Sequence, residues 1–258
     1  MIMNTDAGLP AVTSAYAPDL FAGRAVLVTG GTSGIGLGVA RAFKTLGARV
    51  TATGATEAER QRAAEDAASD GITLAALDVR NAADIKRLVG SLDRLDVLVN
   101  AAGVIRRDVE HDPEVFADVI DINLTGTMRV SAAAKAKLAE SRGAVVNVAS
   151  MLTFFGGPRV PAYSASKGGI GQLTKSLAAA WADDGIRVNA VAPGWIATPL
   201  TEALQNDEER SRPILSRTPM RRWGTPEEVA GGVLFLASPA ARFVTGAILA
   251  IDGGYLVV

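Results

Sequence analysis

The chain has no cysteine and a single histidine, His111. Disulfides, thiolate zinc centres and thiol nucleophiles are therefore excluded, as is a metal centre built from several imidazoles. His111 stands in the polar run Glu110-His111-Asp112-Pro113 and reads as an exposed loop residue. No apolar run is long enough to cross a bilayer as a helix,. The formal net charge is −1, which leaves neither the basic footprint of a nucleic-acid binder nor a polybasic membrane patch. The first twenty residues lack the basic and apolar blocks of a signal peptide,. They read as a loose extension, and the expected compartment is the cytoplasm.

What is present is apolar mass. Of 258 residues, 48 % are hydrophobic, ample for one large α/β domain over residues 21–258. Ala25-Val26-Leu27-Val28-Thr29 reads as a buried strand,. Gly30-Gly31-Thr32-Ser33-Gly34-Ile35-Gly36 follows it, and an amphipathic helical pattern runs on to Gly47. A strand, a glycine loop and a helix in that order make a phosphate-binding turn. The glycines let the backbone approach a pyrophosphate, and the helix N-terminus offers free N–H groups and partial positive charge. Residues Gly30, Thr32, Ser33, Gly34, Ile35 and Gly36 are thus candidate dinucleotide contacts.

Residues 49–53 read as a second strand, whose end meets the adenosine ribose in such a fold. Gly54 stands there, Ser33 and Ala55 are uncharged, and the first acid is Glu57. No carboxylate selects NAD outright, and no arginine clamps a 2′-phosphate. The choice of cofactor stays open, and Glu57 tips it slightly toward NAD. Arg60 and Thr56 are the first candidates for a phosphate ligand.

Further strands are expected at 73–77, 95–100, 144–149, 187–192 and 247–251. Helices are expected at 57–69, 81–90, 113–139 and 163–184, and one opens at Thr225-Pro226-Glu227-Glu228,. Asp78 and Val79 close the third strand, where Asp78 serves either an adenine amine or the next helix as a cap. Asn100, Ala101 and Gly103 bring the chain close to a cofactor after the fourth strand. Asn123, inside a helical segment, predicts either a kink or a buried polar role. Residues 195–219 carry three prolines and read as an irregular, lid-like excursion. Seven strands alternating with helices predict one doubly wound parallel sheet, with ligands at the strand C-terminal ends.

The stretch from 144 to 181 carries the candidate chemistry. Ser150 ends its strand. Tyr163 and Lys167, four residues apart on a helix, share one face. A tyrosine ordinarily titrates near ~10, and a cation beside it favours the phenolate. A hydroxyl donor and a tuned proton carrier are therefore expected at one strand end.

In order, Thr29-Gly30-x-x-x-Gly34-Ile35-Gly36, Asp78-Val79, Asn100-Ala101-Ala102-Gly103, Asn123, Ser150, Tyr163-x-x-x-Lys167 and Pro193-Gly194 with Thr198 resemble the short-chain dehydrogenase/reductase family from about residue 20 onward. Ala101 departs from the family, which has a second asparagine there. The resemblance implies a Rossmann-type sheet of order 3-2-1-4-5-6-7, NAD(P)(H) as cofactor without a metal, and a homotetramer. It implies Tyr163 as proton carrier and Ser150 as hydrogen-bond donor to the substrate oxygen. Lys167 would sit on the nicotinamide ribose, and Asn123 on a proton-relaying water. Ile196 and Thr198 would orient the carboxamide. Ile105-Arg106-Arg107, Ser150-Met151-Leu152, Arg159-Val160-Pro161 and Arg221-Arg222-Trp223-Gly224 resemble the branch that acts on gluconate and its deoxy and keto derivatives. Arg106, Leu152, Arg159 and Trp195 are the candidate substrate contacts, with Arg107 expected to face solvent or another subunit. Neutral-polyol dehydrogenases and 3-ketoacyl reductases share parts of this pattern. A dinucleotide-sensing regulatory protein is the alternative outside catalysis, and the complete Asn123, Ser150, Tyr163 and Lys167 set argues against it.

Overall fold

A computed structural model describes residues 10–258. The elements are β1 (Ala25–Thr29), α1 (Gly34–Thr45), β2 (Arg49–Gly54), α2 (Glu57–Ala64), β3 (Thr73–Ala76), α3 (Ala82–Ser91), β4 (Val97–Asn100), α4 (Pro113–Ile120), α5 (Gly126–Ser141), β5 (Ala144–Val148), α6 (Pro161–Ala180), β6 (Arg187–Pro193), α7 (Glu202–Gln205), α8 (Glu208–Arg217), α9 (Pro226–Ala237) and β7 (Ile248–Ile251). The strands form one parallel sheet of order β3-β2-β1-β4-β5-β6-β7. The order reverses beside β1, so a crevice opens over the C-terminal ends of β1 and β4.

Both faces of the sheet are covered, which explains why its central strands are apolar runs rather than alternating ones. Val26 and Val28 pack with α1 and α9 through Val39, Phe43, Val229 and Val233. Leu27, between them, faces the opposite layer of Ile85, Val130, Leu138 and Leu177. Leu98 and Val145 repeat that alternation, both 0 % exposed. Each such side chain contributes about 1.5–3 kcal/mol on burial.

Four departures from the sequence expectations have local causes. The helix expected over 113–139 is divided by a π-helical turn at Asp121–Thr125 between α4 and α5. Asn123, buried at that turn, thereby satisfies both expectations at once, the kink and the buried polar role. Residues 195–219 hold the short helices α7 and α8. The Asp207 side chain caps α8 through the Arg210 N–H. The helix expected over 57–69 ends at Ala64, and a single 3-10 turn follows at Ala67–Ser69.

The N-terminal segment is the fourth. Residues 1–9 lie outside the described residues, and the remainder is fastened rather than loose. The Tyr16 hydroxyl donates to the Gly231 carbonyl at 2.7 Å. Phe21 meets Phe43 edge-to-face with ring centroids 4.8 Å apart.

Candidate active site

The crevice is a cleft of about 610 Å³ lined by the loop after β1, the ends of β2, β3 and β4, and the start of α6. Gly30, Thr32, Ser33, Gly34, Ile35 and Gly36 all line it. Gly30 lies at φ +64°, and a Cβ there would stand 2.7 Å from the Ala102 Cα. A Cβ on Gly36 would lie 2.1 Å from the Gly30 carbonyl oxygen. Neither position admits a side chain, so the loop folds back on itself and presents bare backbone. Ser33 is the N-cap of α1 yet makes no side-chain cap. The first N–H groups of α1 therefore face the cleft as a cradle for phosphates. These residues fit a dinucleotide.

Tyr163 and Lys167 also line the cleft. The Lys167 ammonium is buried and donates to the Val148 carbonyl at 2.6 Å, which ties α6 to the end of β5. Its Nζ lies 5.4 Å from the centre of the Tyr163 ring. Burial lowers the Lys167 ammonium to about 8. Tyr163 departs from the expectation: burial of its site pushes the phenol up, hydrogen bonding with Ser150 lowers it, and the charge of Glu110 raises it. Desolvation is the largest of these causes because burial penalises the charged phenolate,. Ser150 sits two residues past the end of β5 and accepts the Leu152 N–H, opening a 3-10 turn that fixes its hydroxyl.

Asn123 has its side chain fully engaged. Its Oδ1 accepts the Val104 N–H at 2.8 Å, and its Nδ2 donates to the Val104 carbonyl and to the Ser166 hydroxyl. The amide thus clamps the backbone strip at Gly103 and Val104 against α6. A Cβ on Gly103 would lie 3.3 Å from this Oδ1 and 3.8 Å from the Lys167 Nζ.

The family model described as enoyl-(acyl carrier protein) reductase matches residues 30–256. A 2-dehydro-3-deoxy-D-gluconate 5-dehydrogenase from Bacillus subtilis (strain 168) is 40 % identical over 251 residues, covering 93 % of this chain and 98 % of that one. The chain belongs to the short-chain dehydrogenase/reductase family. It is an NAD(P)-dependent dehydrogenase acting on a CH–OH group. A galactitol 2-dehydrogenase (L-tagatose-forming) from Cereibacter sphaeroides is 41 % identical over 246 residues, 91 % of this chain and 96 % of that one. A solved Agrobacterium tumefaciens structure named for 2-deoxy-D-gluconate 3-dehydrogenase, with NADP bound, superposes with a TM-score of 0.83 at 39 % identity. That match covers 94 % of this chain and all of the other.

Within this short-chain dehydrogenase, Asp78, Val79, Ala101, Gly103 and Thr198 line the cleft. Asp78 is held bidentately by Arg80, which also reaches Asp118, and the next helix is capped by Asn81 instead. Gly54, by contrast, is buried behind the cleft wall. A Cβ there would stand 2.8 Å from the Thr32 hydroxyl and 2.9 Å from the Glu59 Cβ. Ala55 and Thr56 take its place at the surface. Asn100 is likewise beneath the cleft, donating to Ser131 and to Asn147, which in turn donates to Thr174. Pro193 and Gly194 shape the turn after β6, and a Gly194 Cβ would lie 2.7 Å from the Asp252 Cα. Ile196 and Trp195 line a separate cavity of about 300 Å³ toward the C-terminus.

Of the proposed substrate contacts, Arg106 lines the cleft and is exposed. Arg159 is committed to an ion pair with Asp108. Leu152 does not line the cleft, and Trp195 packs edge-to-face on Trp223. Arg107 does not simply face solvent: burial lowers its guanidinium, as do the nearby charges of Arg159 and Arg210. Two acids escaped the sequence reading. Glu59 lines the cleft and accepts the Ala55 N–H at 2.7 Å. Glu110 is 0 % exposed and was passed over as part of a polar loop. The helical spacing of Glu59 behind Ala55 was a usable signal; nothing in the sequence marked Glu110.

Proposed function

We propose that the chain interconverts a secondary hydroxyl and a ketone on a sugar acid, with Tyr163 as the proton carrier. The observation that supports this reading is that Tyr163 and Lys167 line the same cleft as the glycine cradle. A dinucleotide held by the glycine cradle would supply or accept the hydride through its nicotinamide,. In ketone reduction the Tyr163 hydroxyl donates its proton to the substrate oxygen, while the Ser150 hydroxyl stabilises the charge that develops there. In alcohol oxidation Tyr163 removes the same proton. Lys167, anchored on Val148 and close under the ring, favours the phenolate form,. Asn123 holds the Gly103–Val104 strip that closes this end of the cleft.

Arg106 is the side chain placed to meet a substrate carboxylate, since it is exposed and lines the cleft. Its planar fork matches a carboxylate bidentately. The relatives named for gluconate derivatives support an acidic substrate; the galactitol relative supports a neutral polyol as the competing reading. NAD is modestly preferred over NADP in this proposal, because the Glu59 carboxylate stands beside Ala55, where a 2′-phosphate would repel it. The exposed apolar side chains Leu249 on the edge strand β7 and Phe243, Val257 and Val258 in the segments before and after it support assembly into a homotetramer,. Among the described residues no helix is long and apolar enough to cross a membrane. A cytoplasmic enzyme with residues 21–258 as one catalytic domain is part of this proposal.

The test is a turnover screen by nicotinamide absorbance with NAD and NADP, over 5-keto-D-gluconate, D-gluconate, galactitol and a 3-ketoacyl ester. The proposal expects the sugar acids to give the highest kcat/KM. A neutral polyol or the ketoacyl ester ranking first overturns the substrate; dinucleotide binding without turnover on any of them overturns catalysis.

A further inference from the structure

Glu110 is fully buried yet belongs to no strand or helix. Each of its oxygens accepts one backbone N–H. Oε1 takes the Arg106 amide at 2.7 Å, and Oε2 takes the Tyr163 amide at 2.8 Å. Arg106 is the substrate-loop residue at the cleft mouth, and Tyr163 is the third residue of α6. The N-cap of α6, Val160, provides no side-chain bond, and Pro161 has no N–H to give,. Glu110 therefore caps α6 from 53 residues away in the chain. A carboxylate suits the place, because it accepts without donating and a helix N-terminus favours negative charge. The same two loops are joined at their rims by the Asp108–Arg159 ion pair and by His111 on the Pro158 carbonyl.

We propose that Glu110 is a positioning residue for Tyr163, one buried carboxylate that holds the backbone of the proton carrier and the backbone of the substrate loop at a fixed spacing. The proposal rests on the reading of Tyr163 as the proton carrier. It gives two separable effects, one of geometry and one of charge. The geometric effect is the span between the two amides, which only a side chain of glutamate length with two acceptors meets. The electrostatic effect is that the Glu110 charge works against the phenolate. The other groups facing Tyr163 are Lys167 from α6 and Ser150 from the end of β5, while Arg107 faces Glu110.

Two variants separate the effects. Glu110→Asp keeps the charge but is one methylene too short to reach both amides. Glu110→Gln keeps the length but can offer only one acceptor and no charge. The intact protein, Tyr163→Phe and both variants are assayed with 5-keto-D-gluconate and D-gluconate, with dinucleotide affinity followed by fluorescence. For both Glu110 variants the expected result is a kcat lower by on the order of tenfold to a hundredfold, with the dinucleotide Kd unchanged. The pH–rate profile should move to lower pH for Glu110→Gln alone. Normal kcat in Glu110→Asp, with only a lowered Tm, overturns the proposal by leaving Glu110 a structural brace. A Gln profile that superposes on the Asp profile overturns the electrostatic part. An active Tyr163→Phe protein removes the proton-carrier reading and the proposal with it, and that outcome is visible in the same assay.

Discussion

The Lys167 ammonium sits 5.4 Å from the centre of the Tyr163 ring while its own hydrogen bond goes to the Val148 carbonyl at 2.6 Å. The lysine therefore acts on the phenol through space rather than by a direct bond, and the bond it does make fixes α6 against β5. Because burial raises the phenol and lowers Lys167 to about 8, the free protein is poised for ketone reduction. The positive charge of an oxidised nicotinamide shifts the balance toward the phenolate.

Alcohol oxidation should accordingly quicken as pH rises and ketone reduction should slow, with the midpoint of oxidation the lower of the two because only that direction carries the positively charged oxidised nicotinamide. Lys167→Met should lose kcat by on the order of a hundredfold and also bind dinucleotide more weakly. Parallel pH profiles in the two directions, or an unchanged profile in a residually active Lys167 variant, count against this coupling.

Cofactor choice should respond at Ala55 rather than at Gly54. A side chain on Gly54 meets the Thr32 hydroxyl and Glu59, so Gly54→Asp should cost stability before it changes selectivity. Ala55→Arg combined with Glu59→Gln should turn a modest NAD preference, less than about a hundredfold or roughly 2.7 kcal/mol, toward NADP. The ratio of kcat/KM for the two cofactors is the readout. A strong NADP preference in the unaltered protein contradicts the role given to Glu59.

The frame of the site was legible because strand ends are marked by glycine, asparagine and serine after apolar runs. Gly30 and Ser150 could be placed at strand ends from pattern, while the sheet order that brings those ends together, with Tyr163 beside them, was implied by the resemblance to the family. Gly54 was misplaced by one residue because the last position of a strand and the first of its loop look alike in sequence, while only one faces the cleft. Asn100, expected at the cofactor, has its amide nitrogen engaged inside the core by Ser131 and Asn147, a network that residue spacing does not show. Glu110 stayed invisible because its role depends on two amides brought together by tertiary packing. The rise in the Tyr163 value was equally out of reach, since desolvation has no signature in residue spacing.

Asp96 offers a check far from the chemistry. Its carboxylate is only 3 % exposed and is bonded by Arg94, by Arg24 and by the Ala25 amide. Burial alone would raise it, but these partners outweigh burial and hold it down to about 2. Its stabilisation is full above the ordinary carboxylate value and disappears as pH falls toward about 2,. Asp96→Asn should cost about 2 kcal/mol at neutral pH, with little change in kcat. Urea melts of both proteins should converge in acid; a gap that persists undiminished there contradicts the assignment.

Arg106→Ala should raise KM for a sugar acid by on the order of tenfold or more, and Arg106→Lys by less. A neutral polyol of the same length should be nearly indifferent. Arg159→Ala should affect both substrates alike, because that side chain ties two loops through Asp108. Equal losses on acid and polyol in Arg106→Ala make Arg106 structural and transfer the substrate to the neutral class.

The most direct measurement pairs turnover with binding in Tyr163→Phe. The hydroxyl is the only group removed, and the ring, its helix and the Lys167 anchor remain. Steady-state rates with 5-keto-D-gluconate and D-gluconate are compared with dinucleotide Kd from fluorescence titration. The account predicts turnover reduced to below about one per cent, with the Kd essentially unchanged. Retention of a substantial fraction of the wild-type rate, or loss of rate only in step with lost dinucleotide binding, contradicts it.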